Sequence, residues 1–311
     1  MPAPRGFSAE PPQGHPAVAL ALTLAHRLHR APLVTPHMFG GTTTRRMQYE
    51  YDGAPAFLAE VARYLSPTWL DDRIVLDLGC GWGGKAVYYG RHTKARRIVA
   101  IDLPGYDAAG AHDFARAHRV TSCAFDVGDA EALPYRGDVF DVVLSEDVME
   151  HVGNPAAVLA EAYRVLKPGG VFVAIFPSFL QANAHHLDRA INLPALHYLL
   201  SMKTWASGLN RVRETDPTRA YSPFGRVVRT PFRQVTCDLN GMSFRQFSEL
   251  VGKTSFEPEV LRLVPRQYGR DRWLVGGLYR LALRVPALRE FLADHVLFIG
   301  RKPVTNCTAE G

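Results

Sequence analysis

From Asp71 to about Ser178 the chain alternates short apolar runs with stretches of helical period. RIVLDL, RRIVAID, SCAFDV, FDVVLS and VFVAIF are rich in Val, Ile and Phe and are bounded by Gly, Asp or Pro. That pattern predicts strands buried on both faces, as in a parallel sheet. Between them GGKAVYYGR, AAGAHDFARAHR and PAAVLAEAYRVL read as helices. Asn154 followed by Pro155 predicts a cap and first helical position, and Lys167-Pro168-Gly169-Gly170 predicts a stop. Strands alternating with helices predict an α/β, doubly wound sheet. MSFRQFSELVGK then predicts a helix, and PEVLRLV and DHVLFIGRKP two more strands, making seven.

The flanks have a different texture. Residues 1–16 are Pro-rich and predict a flexible N-terminus. Residues 17–70 predict an N-terminal helical cap that includes the unusual segment FGGTTTRRMQYEYDG, and 71–311 the main domain. Residues 179–235 are rich in His, Arg, Pro and aromatics with weak periodicity. This is too long for a plain connection and predicts a lid or substrate-binding insertion.

Composition narrows the class. The 311 residues are 47% hydrophobic and 21% charged, ordinary for a soluble globular protein. No apolar run is long enough to predict a membrane span. AVALALTLA at 17–25 follows a segment with Glu10 and His15 and continues into HRLHR, which predicts a packed amphipathic helix and not a secretory leader. Cys80, Cys123, Cys237 and Cys307 lack paired or metal-like spacing, so no metal is expected and a reducing, cytoplasmic setting is. The net charge of +6 comes mostly from scattered arginines without a dense block, so no nucleic-acid partner is expected.

The chemistry concentrates in VLDLGCGWGG, Val75 to Gly84. Gly79, Gly81 and Gly84 satisfy G-x-G-x-x-G, whereas Gly79, Gly81 and Gly83 satisfy G-x-G-x-G. Such a loop stays tight and lets a ligand approach the main chain, and the next helix could offer free N–H groups to a carboxylate. Asp102, ending the second strand, is placed to accept two ribose hydroxyls. NAD and S-adenosylmethionine are equally served up to this point. The helical preamble, GDAEALPY with Asp129 beside an expected adenine edge, and the lack of a second mononucleotide-binding half favour the latter.

The motifs VLDLGCGWGG, IVAIDL, GDAEALPY, FDVVLSEDVMEHVGNP and RVLKPGGVFVAIF, in that order, resemble those of the class I S-adenosylmethionine-dependent methyltransferases, in particular their small-molecule branch. The resemblance implies a Rossmann-like seven-stranded sheet, mostly parallel with an antiparallel C-terminal strand. It also implies S-adenosyl-L-methionine as cofactor and S-adenosyl-L-homocysteine as product. By the same resemblance Asp77, Gly79, Cys80, Gly81 and Gly83 hold the methionine end of the cofactor. Asp102 and Leu103 meet the ribose and adenine, Asp129 and Ala130 the adenine amino group and ring, and Ser145 lies near the sulfonium.

Acceptor chemistry is less sharply marked. Many acceptors need a general base. Glu146, Asp147, Glu150 and His151 follow the fourth strand, and on a helix Asp147 and His151 would share a face. Glu-His here also reads as a packing and capping pair. EHVG resembles the cyclopropane fatty-acid synthases, whose Glu helps hold a bicarbonate base. His185, His186 and Asp188 in the insertion are further candidates, against a reading as surface or packing residues. Tyr49 and Tyr51 could reach the pocket or be structural. The expected activity is methyl transfer to a small organic acceptor with an apolar body, a natural product's hydroxyl before nitrogen or carbon. Lipid-directed methyl or methylene transfer and a non-catalytic cofactor-binding protein are the alternatives. A homodimer is compatible with the sequence; RNA methylation is disfavoured, since no Asn-Pro-Pro-Tyr-type motif follows strand four.

Overall fold

The structure is a computed structural model and describes residues 42–104, 107–182, 184, 195, 198, 228–229, 234–235, 239–265 and 281–304. Residues 1–41 of the expected tail and cap, together with His185, His186, Asp188, Cys237 and Cys307, lie outside the described residues. The chain divides into two compact units. One contains the described stretches 42–104, 107–176, 245–262 and 296–304, the other 177–182, 184, 195, 198, 228–229, 234–235, 239–244, 263–265 and 281–295.

The first unit opens with helix α1 (Thr43–Val61), whose buried residues Met47, Ala54, Phe57 and Val61 fall on one stripe. Then follow β1 (Ile74–Leu78), α2 (Gly84–His92), β2 (Arg97–Asp102), α3 (Ala108–Ala117) and β3 (Cys123–Val127). Next come β4 (Phe140–Glu146), α4 (Pro155–Val165) and β5 (Leu166–Phe176). Asn154 caps α4 by accepting from the Ala157 amide, with Pro155 in the first turn, as its sequence predicts. Two short strands, β6 (Val228–Arg229) and β7 (Gln234–Val235), pair antiparallel within the sequence-defined insertion. Helix α5 (Phe244–Val251), β8 (Glu257–Pro265), α6 (Pro286–Phe291) and β9 (Ala293–Arg301) complete the described elements.

The large sheet has seven strands in the order β3-β2-β1-β4-β5-β9-β8. β1 pairs parallel with β2 and β4, β2 with β3, and β4 with β5, whereas β9 runs antiparallel to β5. The Rossmann-like sheet with an antiparallel C-terminal strand is therefore observed. One boundary differs: β5 already begins at Leu166 and includes Lys167–Gly170, with a register shift against β4. The glycines there mark an irregular strand entry and not a plain loop. Phe172, Phe176, Phe247, Phe256 and Phe298 pack edge-on or stacked around β5 and β9 and close the core on that side. In the second unit, the Ser178 hydroxyl and the Glu290 carboxylate bond each other and both accept from the Phe244 amide.

The strand order reverses between β1 and β4, where such sheets present ligand sites at the carboxyl ends of their strands. Register aligns Asp77 with Ala100 and Leu144, so Asp77, Asp102 and Glu146 share one face. Ser145 alternates to the other.

Candidate active site at the carboxyl ends of the strands

The loop after β1 satisfies both glycine spacings for separate reasons. Gly79, Gly81 and Gly83 have φ of 75°, 61° and 87°, left-handed backbone that favours glycine. Gly84 is required by proximity, since a Cβ there would lie 1.9 Å from the Met47 carbonyl oxygen of α1.

Every amide of this loop donates within the protein. Those of Gly79 and Cys80 donate to the Ile101 carbonyl at 2.9 and 3.1 Å, and Gly83 to the Cys80 carbonyl at 3.0 Å. Gly81 donates to Asp102 Oδ2 at 2.7 Å. Glu50 of α1 accepts the last two: Trp82 at 2.9 and 3.1 Å to its two oxygens, and Gly84 at 3.0 Å. The amides of residues 79–84 thus already have partners within the chain, so the ligand carboxylate expected at the start of this helix does not meet a row of free donors there. A carboxylate of the chain itself occupies that position, where unpaired N–H groups and the helix dipole favour an anion.

Glu50 escaped notice in the sequence, although Tyr49 and Tyr51 on either side of it drew attention. The available signal was periodic: Glu50 interrupts the buried stripe Met47, Ala54, Phe57 and Val61 with an acid. Arg46, one turn earlier, places its guanidinium 4.7 Å from the centre of the Trp82 ring.

Beneath the loop lies an acidic cluster. Asp77 is 6% exposed, and its Oδ2 has no hydrogen-bond partner among the described residues. Burial pushes its carboxyl up to about 7, with Lys85 pulling down and Glu146, Glu50 and Asp102 pushing up. Glu50 is also pushed up to about 7 by burial, despite the amides of Trp82 and Gly84 and the charge of Lys85. Lys85 of α2 pairs with Glu146 at 3.0 Å. Burial opposes its charge, yet Glu146 and Asp147 hold it above its usual value. A buried acid with an unsatisfied oxygen is a seat for a cation.

The outer end of the site is apolar and acidic together. Leu103 and Val127 follow β2 and end β3, and they are 55% and 49% exposed. Two exposed aliphatic side chains at adjacent strand ends can flank a flat ring. Asp102 Oδ1 accepts from the Leu103 amide at 2.7 Å, leaving further lone pairs for hydroxyl donors. Asp129 is exposed and shapes its own turn by accepting from the Glu131 amide at 2.8 Å. Ala130 follows in that turn, which Glu161 and Arg164 of α4 brace through the Leu133 amide and the Leu133 and Tyr135 carbonyls.

Residues 76–174, spanning this loop, the acidic cluster and both strand ends, match the family described as "Methyltransferase domain". This part of the chain therefore matches a methyltransferase domain, as the resemblance of its motifs implied. The phthiotriol/phenolphthiotriol dimycocerosates methyltransferase of Mycobacterium tuberculosis is 37% identical over 103 residues, 33% of this chain and 37% of the relative. The malonyl-[acyl-carrier protein] O-methyltransferase of Yersinia pestis is 31% identical over 119 residues, 38% of this chain and 40% of the relative. An uncharacterized methyltransferase of Schizosaccharomyces pombe is 27% identical over 138 residues, 39% of this chain and 49% of the relative. The chain thus spans about half or less of the length of these curated relatives. A structure from Listeria monocytogenes, described as an S-adenosylmethionine dependent methyltransferase, superposes with a TM-score of 0.50 at 16% identity. It covers 80% of this chain and 99% of its own, a likeness of fold.

Within the methyltransferase domain the remaining candidates separate. Residues 147–153 form a turn and not a helix, and Asp147 has φ 57°. The expected helical facing of Asp147 and His151 is therefore corrected. His151 Nε2 lies 3.7 Å from Oε1 of its neighbour Glu150, with Glu150 buried and His151 partly exposed. Cys80 is buried and acts in the loop through its backbone. Ser145 is fully buried, without a hydrogen-bond partner among the described residues, on the face opposite Asp77.

Tyr51 donates or accepts at His92 Nε2 over 2.8 Å, and its ring packs with Tyr88, Phe114 and His118, while Tyr49 is exposed. Tyr51→Phe should keep those ring contacts and cost about 1 kcal/mol or less. Thermal unfolding and S-adenosylhomocysteine titration should both stay near wild type. A tenfold loss of affinity would place the hydroxyl at the ligand instead. No helix among the described residues is long and apolar enough to cross a membrane.

Proposed function

We propose that this chain transfers a methyl group from S-adenosylmethionine to an oxygen of a small organic acceptor with an apolar body. The observation that carries the reading is the buried Asp77 carboxyl, with one oxygen left unsatisfied below the glycine loop. A cofactor bearing an ammonium group satisfies it, and ionising Asp77 for that purpose costs little near neutral pH.

In this reading Asp102 accepts the ribose hydroxyls, Leu103 and Val127 flank the adenine, and Asp129 accepts from its amino group. When bound, the cofactor supplies a methyl group already activated by its sulfonium. The chain's remaining task is alignment and exclusion of water. His151, 3.7 Å from the Glu150 carboxylate, is in this reading the base that takes a hydroxyl proton, and His185 and His186 are further candidates. The aromatic and apolar composition of residues 179–235 supports an apolar acceptor. The Yersinia relative, named as an O-methyltransferase, supports oxygen.

Isothermal titration with S-adenosylmethionine and S-adenosylhomocysteine should show one site, weakened at least tenfold by Asp102→Ala. Radiolabelled methyl transfer into small-molecule extracts should then label an apolar product. Absence of cofactor binding would remove the reading. Binding without any labelled product would reduce it to a cofactor-binding protein.

A further inference from the structure

Three observations about Glu50 go beyond a structural helix contact. Its two oxygens accept three N–H contacts from Trp82 and Gly84, tying the loop to a helix that lies before the matched residues 76–174. A Cβ at Gly81 would meet Glu50 Oε1 at 2.5 Å, so loop and carboxylate are fitted to each other. Glu50 also acts electrostatically on Asp77, the cation seat.

We propose that Glu50 is a positioning residue of the cofactor site, a carboxylate latch that must be ionised to hold the glycine loop and complete the negative charge around the cofactor's cationic end. This inference rests on the cofactor reading above. A carboxylate accepts from both amides with both oxygens, whereas a protonated carboxyl gives up part of that capacity to its own O–H. Protonation therefore loosens the loop and removes negative charge beside Asp77 in one step.

The surroundings of Glu50 set where this happens. Lys85 and Tyr89 face it from α2, Asp77 from β1 and Asp102 from β2, with Arg46 one turn earlier on its own helix. Lys85 is already paired with Glu146, so it offsets only part of the three-acid repulsion. Burial supplies the larger upward push, and Glu50 titrates close to neutrality. Asp77 titrates in the same range, so the two change charge as a coupled pair.

The sign follows. Binding a cationic ligand requires both acids ionised, so ligand binding releases protons and affinity rises with pH through neutrality. Below about pH 6 the logarithm of affinity should rise with pH at a slope above one in the wild type, since roughly two protons leave. In Glu50→Gln the slope should fall to one or less, and affinity at pH 8 should drop about tenfold. Glu50→Asp keeps the charge at a shorter reach and should recover the steeper slope with intermediate affinity.

The deciding experiment measures two quantities on the full chain: S-adenosylhomocysteine affinity from pH 5.5 to 8.5, and amide exchange protection of the Trp82 and Gly84 N–H groups without ligand. Support requires Glu50→Gln to lower protection of both amides about tenfold at pH 8, and wild-type protection to fall toward that of the variant at pH 5.5. Unchanged protection in Glu50→Gln, or a wild-type slope retained by it, overturns the latch. If the wild type binds no cofactor at any pH, the proposed function falls separately and the exchange comparison alone decides whether Glu50 holds the loop.

Discussion

Asp77→Asn is expected to reduce S-adenosylmethionine and S-adenosylhomocysteine binding by at least a hundredfold while making the ligand-free protein more stable. The two effects share one cause. The wild-type carboxyl is buried with an unsatisfied oxygen, and its neighbours include three other acids. Asparagine removes the charge and with it the attraction for an ammonium group, leaving a neutral amide that costs less to bury. Relief of the buried acid is worth on the order of 1–3 kcal/mol. Scanning calorimetry should show a higher Tm for the variant at pH 8, and a smaller difference at pH 5.

The pH contrast has a defined sign. Burial raises the folded-state values of Asp77 and Glu50 to about 7, from 3.8 and 4.5. The folded protein thus holds these protons more tightly than the unfolded chain. The stability they contribute is complete below about pH 4 and is lost as pH rises through 7. Asp141 and Glu161 act in the opposite sense. Burial works against Asp141, but the Ile74 amide and Lys167 hold it below its usual range, and Arg164 does so for Glu161. Their contribution is lost on acidification, so ligand-free stability should peak on the acid side of neutrality. A Tm that rises steadily from pH 5 to 8 without ligand, or an Asp77→Asn variant less stable than wild type at pH 8, would contradict the account.

Gly84→Ala is expected to separate α1 from the glycine loop. The added Cβ would lie 1.9 Å from the Met47 carbonyl and 2.9 Å from Glu50 Cβ, contacts that backbone must move to relieve. Alanine's helical propensity exceeds glycine's, so at the first residue of α2 the substitution would otherwise be favourable. Overpacking should win, costing roughly 2–3 kcal/mol and lowering Tm by about 4–10 °C. Cofactor affinity should fall with it, because Glu50 is carried away on the same helix. A variant with wild-type Tm would contradict this close packing of α1 on the loop.

The strands and helices of the methyltransferase domain were legible because each carries its signal locally. RIVLDL and FDVVLS are apolar runs of strand length, and Asn154-Pro155 marks a helix start that the structure reproduces. EDVMEHVG misled for a related reason: its spacing suits a helix, but the turn of 147–153 and left-handed Asp147 depend on the exit from β4. Nothing in eight residues of sequence reports where the preceding strand ends. The partners of the loop amides were not legible, because free donors at a helix start are the correct local expectation. The partner of the Trp82 and Gly84 amides, Glu50, lies 32 residues before Trp82.

The fold, the glycine loop and the acids at the strand ends are written in the order of adjacent residues, since periodicity, turn chemistry and motif order are local properties. What those groups do to one another is a matter of packing. Folding brought Glu50 onto the loop, left an Asp77 oxygen unsatisfied, and set Lys85 against Glu146. Burial and proximity govern charge, and both arise from packing distant segments together.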